Sequence, residues 1–76
     1  MDSIDKSTIK FGPYKHFKGM DYELVDVVYH SETQEPLALY RALYGERELW
    51  VRPLAMFFEN VERDGKLQPR FNYVGS

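Results

Sequence analysis

The chain has 76 residues, enough for one domain near the lower size at which a single hydrophobic core holds without staples. It contains no cysteine, which excludes disulfides, thiolate metal sites and cysteine nucleophiles and leaves stability to the core alone. Hydrophobic residues at 43% and aromatics at 16% are too many for a disordered chain, and a net charge of −2 argues against the broad basic footprint of a non-specific nucleic-acid binder.

No apolar run is long enough to span a bilayer, and no basic segment leads into an apolar signal core. The expectation is a soluble, cytoplasmic protein without membrane contact. Charge is unevenly spread. Asp21, Glu23, Asp26, Glu32 and Glu35 fall in a stretch without Lys or Arg, whereas Lys10, Lys15 and Lys18 fall in one without acids. Such runs are usually solvated faces, and only secondarily a means of steering a partner.

Residues 1 to 11 read as a flexible arm, polar and unpatterned up to Ile9, and residues 12 to 76 as a single domain. The segment YKHFKG predicts a first strand or arch entering a turn at Gly19. YELVDVVYH, rich in β-branched and aromatic residues, predicts a second strand. SETQEP supplies turn formers, after which LALYRALY predicts a third strand stopping at Gly45. LWVR predicts a fourth, ended by Pro53. Leu54, Phe57, Phe58 and Val61 then follow at helical spacing, a stripe that Pro53 can open and Asp64-Gly65 can close. Leu67, Phe71 and Tyr73 predict a final strand broken at Pro69. The fold class is therefore all-β, a small, strongly bent five-stranded barrel or roll with one short helix before the last strand.

Tyr14, His16 and Phe17 with Lys18-Gly19, His30-Ser31-Glu32-Thr33, Tyr44-Gly45, Trp50 with Arg52-Pro53, Met56-Phe57 and Arg70-Phe71 form a specific pattern across residues 12 to 74. With these motifs the chain resembles a bacterial family of conserved domains of unknown function, family 1653. The resemblance implies an SH3-like barrel or roll and carries no activity.

The most informative motif is the pair Arg41 and Arg52, one on either side of a tight turn. A turn of Gly45 to Glu48 would place Arg41 opposite Arg52 and Leu43 opposite Trp50. Two guanidiniums beside an indole would then clamp a carboxylate or phosphate, or stack a base. The plainer reading gives Arg52 an intramolecular partner among Glu48, Glu59 and Glu62. A one-residue change in the loop would move Trp50 and Arg52 onto the face of Ala42 and Tyr44 and make them structural.

The motif HSET holds the residue types of a catalytic triad, but adjacent side chains leave a strand on opposite sides, so Ser31 and Thr33 are expected to shape a turn. His30 could still donate at a recognition surface. His16 and His30 have no metal-ligand spacing between them, so no metal or cofactor is expected. Lys15 and Lys18 serve either to protect a strand edge or to add positive charge near a groove. Met56 lies off the helical stripe and could mark a partner patch, although core packing is the stronger reading of that segment.

The leading functional expectation is a non-enzymatic binding module. Its surface of Trp50, Arg52 and Arg41, with Arg70, Lys15, His16 and His30, would engage an anionic partner such as RNA or an acidic protein segment. The alternative is a structural or assembly protein, a weak homodimer or one docked to a larger partner. An enzyme is the least favoured class, because so small a chain encloses little volume from water.

Overall fold

The computed structural model describes residues 6 to 75; residues 1 to 5 of the expected arm lie outside them. Among the described residues a 3-10 turn at Lys6–Thr8 precedes β1 Gly12–His16, β2 Asp21–Tyr29, β3 Pro36–Ala42, β4 Leu49–Pro53, α1 Leu54–Phe57, β5 Asn60–Arg63, β6 Lys66–Pro69 and β7 Phe71–Tyr73. Five strands form one antiparallel sheet in the order β4-β3-β2-β1-β7, and β5 with β6 forms a separate hairpin. The all-β expectation holds. The two sheets share no ladder, so the strands do not close into a barrel.

The sheet bends around a small aromatic core. In β2, Leu24 faces Tyr40 while Asp26 faces Leu39, which makes Val25 the extra residue of a bulge. A bulge reverses the alternation of faces and bends the strand. Leu24 and Val27 consequently both point into the core, where they are almost fully buried. They join Tyr14, Ala38, Tyr40, Leu54, Phe57 and Phe71, with Ile9 and Phe11 packed against the cluster from the N-terminal side. At its centre the rings of Phe57 and Phe71 stack with centroids 4.2 Å apart and planes 5° from parallel.

The helix is shorter than its stripe predicts and earlier in the chain relative to the strands. It ends at Phe57 after a single turn, with Leu54 and Phe57 buried but Met56 and Phe58 exposed, and three strands follow it rather than one. Val61 belongs to β5. Asp64 and Gly65, read above as a helix stop, instead connect β5 to β6, and both take positive φ, 56° and 77°. That is the requirement of the tightest hairpin turn, for which Asp-Gly is a favoured pair. The predicted break at Pro69 is real and larger than expected. Beyond it Arg70 N–H donates to the Glu59 carbonyl, and the chain leaves the hairpin to join the main sheet as β7.

Candidate binding pocket

The β3–β4 connection decides what its side chains can do. Leu43 N–H leaves the hairpin ladder and donates to the Asp21 carbonyl, while Ala42 N–H donates to the Glu48 carbonyl at 3.1 Å. The connection is therefore longer than a turn of Gly45 to Glu48. Arg41 pairs with Leu49, Tyr40 with Trp50 and Ala38 with Arg52. Arg41 thus meets a residue three positions from the expected Arg52, and an odd slip exchanges the two faces of a strand.

The pairing of Arg41 with Arg52 is thereby corrected. Arg41 lies on the opposite face from Trp50 and Arg52, and its Nη1 donates to the Arg47 carbonyl at 2.9 Å, clasping the loop. Trp50 and Arg52 share a face with Tyr40 and Ala42, yet Trp50 keeps 54% of its surface exposed because β4 is the sheet's edge. Neither alternative for Trp50 describes this outcome fully. It stands on the core-facing side of the strand, at the open margin of the core.

Trp50 and Arg52 line a cavity of about 240 Å³ with Tyr22, Tyr40 and Tyr44. Tyr22 on β2 supplies the floor. Its ring meets Tyr40, Tyr44 and Phe71 edge-on at 5.4 to 5.6 Å, and its hydroxyl shares a 2.6 Å hydrogen bond with that of Tyr44. Burial pushes the Tyr22 phenol up, the bond to Tyr44 adding to it, to about 12. It therefore remains a neutral hydroxyl at any physiological pH. The Arg52 guanidinium sits over the Phe71 ring at 5.7 Å, and among the described residues no carboxylate pairs with it.

His16 reaches the same ring from β1, edge-on to Phe71 at 4.9 Å. Burial, and then the positive charges of Arg70, Arg52 and Lys18, hold its imidazole below the ordinary histidine value. Its Nδ1 accepts the Lys18 N–H at 3.1 Å, so the neutral ring carries its proton on Nε2. Arg70 is committed elsewhere. Its Nη2 donates to Glu59 Oε1 at 2.7 Å, while its buried Nε has no partner. Lys15 is an exposed residue of β1, 4.0 Å from Asp21, and with His16 and Phe17 lines a second cavity of about 300 Å³.

The structure therefore gathers Trp50, Arg52, His16 and Arg70 around Tyr22 and Phe71, while Lys15, between the inward-facing Tyr14 and His16 on β1, falls on the other face of the strand. Arg41 and His30 stand apart. His30 Nδ1 accepts the N–H groups of Glu32 and Thr33 and organises the β2–β3 turn, in which Thr33 Oγ1 accepts from Glu35 N–H. Ser31 Oγ contacts Glu32, not an imidazole. The tyrosines are absent from the expected site residues, and the pairing of Tyr22 with Ala42 that brings it beneath Tyr40 and Tyr44 is not encoded in local pattern. Among the described residues no group of three potential ligands is placed to hold a metal ion, and no helix is long and apolar enough to cross a membrane.

A family described as "Protein of unknown function (DUF1653)" matches residues 12–73. The chain belongs to this family. It is also similar to a crystal structure of a DUF1653 protein from Bordetella bronchiseptica, with 32% identity and a TM-score of 0.84 over 93% of this chain and 94% of that one. No curated protein matches this DUF1653 chain.

Proposed function

We propose that this DUF1653 domain, an SH3-like roll, is a non-enzymatic cytoplasmic binding module, and that the cavity between Tyr22, Tyr44, Trp50 and Arg52 receives an anionic group of its partner. The observation that carries the reading is Arg52: a guanidinium held over an aromatic ring, in a cavity of rings and phenols, with no carboxylate partner among the described residues. A carboxylate or phosphate there would gain charge-assisted hydrogen bonds, and a flat group beside it would stack on the exposed indole of Trp50. An aromatic cage for a cation is disfavoured by the same guanidinium. Partners of the fitting chemistry are a short single-stranded RNA and an acidic protein segment. The non-enzymatic part of the reading is supported by His30 being tied into a turn and by the Ser31 hydroxyl being turned to Glu32.

The test is a two-dimensional NMR titration of labelled protein, following the Trp50 indole and the backbone amides against a mixed-sequence RNA pool and against an acidic peptide. The expected result is a saturable shift of Trp50, Tyr44 and Arg52 with one of the two ligands, while Arg41 and His30 stay still. Arg52→Ala should weaken that binding by about tenfold or more, the equivalent of one charge-assisted hydrogen bond. Binding to RNA through one free guanidinium should also show a shallow salt dependence, with a slope on the order of −1 in the logarithms. No shift at Trp50 with either ligand sinks the proposal.

A further inference from the structure

Among the described residues β4 has β3 on one flank and no strand on the other. Leu49, Trp50 and Val51 are consecutive on this edge and expose 48%, 54% and 54% of their surface. Open apolar edges of this kind are normally blunted by charge, proline or a covering loop, because they template pairing with another strand.

The hydrogen bond from Ala42 N–H to the Glu48 carbonyl fixes which backbone groups remain free. In an antiparallel ladder, opposed residues alternate between pairs that exchange hydrogen bonds and pairs that do not. Ala42 with Glu48 is of the first kind, so Tyr40 with Trp50 and Ala38 with Arg52 are as well. The N–H and C=O groups of Leu49 and Val51 consequently point away from β3, toward the open edge. The next outward position is Pro53, which has no N–H; the preceding one is Arg47, held in the turn at φ 56°.

We propose that this edge pairs with a second copy of the chain, the two β4 strands running antiparallel about a two-fold axis at Trp50. Leu49 of each copy then lies opposite Val51 of the other, and the outward groups of both satisfy each other. Shifting the pairs by two residues would set Val51 against the turn residue Arg47, or Leu49 against Pro53, and lose bonds either way. Side chains select the same register. Glu48 falls opposite Arg52 of the second copy at both ends, Trp50 faces its twin, and Leu49 meets Val51 on the other face. Among the described residues neither Glu48 nor Arg52 has an ionic partner within its own chain. So few paired residues bury less than the roughly 1,200 Å² of a stable interface, so the dimer is weak and concentration-dependent. This inference does not depend on the anion-binding reading; the two share Trp50 and Arg52.

Sedimentation equilibrium of the full chain tests it, with amide spectra confirming that each variant is folded. The wild-type mass should rise from the 9.0 kDa of one chain toward twice that value as concentration approaches about 1 mM. Glu48→Arg and Arg52→Glu alone each set like charges opposite one another at both ends and should weaken association about tenfold. The double variant E48R/R52E restores both pairs and should recover the dimer. Val51→Pro removes an outward N–H without touching the β3 ladder and should give a folded monomer. A wild type that stays monomeric throughout, or a double variant no better than the single ones, overturns the proposal. So would a monomer that pairs its β4 edge only with an added acidic peptide, since that assigns the edge to a foreign strand.

Discussion

Toward the β1 and β7 side of the main sheet, Phe57 and Phe71 stack face to face and are almost wholly hidden from solvent, while at the β4 edge Trp50 and Tyr44 leave about half of their surfaces exposed. Tyr22 touches both groups, edge-on to Phe71 on one side and to Tyr44 on the other. The same residue class thus does two things within one small domain. The inner rings fill volume that α1 and β7 close over. The outer rings hold geometry that no element among the described residues covers, which is why the β4 margin and not the core is available for recognition.

The sharpest way to break this distinction is to truncate one ring from each group. Phe57→Ala empties the middle of a close-packed aromatic cluster and should cost about 3 to 5 kcal/mol, most of the stability of a domain this size. Trp50→Ala removes a half-exposed side chain whose cross-strand contact is with Tyr40, and should cost about 1 kcal/mol or less. Urea denaturation followed by circular dichroism measures both. Equal losses would mean that Trp50 belongs to the core after all.

The strands were legible because their residue types suit a pleated surface, and β2 fell within one residue of its expected bounds. What local pattern could not supply was anything depending on partners distant in sequence. The stripe through Leu54, Phe57, Phe58 and Val61 fits a helix, yet Val61 is drawn into β5 by its pairing with Gln68 across the Asp64-Gly65 turn. The expected relation of Arg41 to Arg52 hung on one hydrogen bond, Leu43 to Asp21, which lengthens the connection and turns Arg41 to the other face. Tyr22 is the extreme case. Nothing around it in the sequence marks it as the floor of a cavity whose walls come from β3, β4 and the connection between them.

Tyr22 also sharpens the comparison, because it joins the hidden group to the exposed one and its phenol is held up to about 12. The folded state keeps that proton in a range where an unfolded tyrosine has lost it, so folding is favoured below pH 10 and the contribution fades as pH rises from 10 toward 12. Tyr22→Phe should remove this alkaline loss, lower stability modestly at neutral pH, and take the latest-ionising step out of the tyrosinate titration. Absorbance of the tyrosinate band across an alkaline titration reads the difference directly. If the variant and wild type titrate alike, the hydroxyl pair with Tyr44 is not maintained in solution.

The smallest expected effect is at His16, and it reports on the cavity rather than on the core. The imidazole is held below 6.5 by burial and by the cations Arg70, Arg52 and Lys18, so the unfolded chain takes up a proton there before the folded one does. Stability attached to His16 is accordingly full above pH 6.5 and declines as pH falls through the lowered value. An anion seated on Arg52 would offset part of that positive field and raise the His16 titration, whereas a ligand bound elsewhere would leave it unchanged. Following the His16 ring protons by NMR through an acid titration, with and without the ligand that moves Trp50, separates the two cases. An upward shift that disappears in Arg52→Ala ties occupancy of the cavity to the guanidinium. A His16 titration that ignores the ligand places the anion beyond the reach of both Arg52 and the ring they share, Phe71.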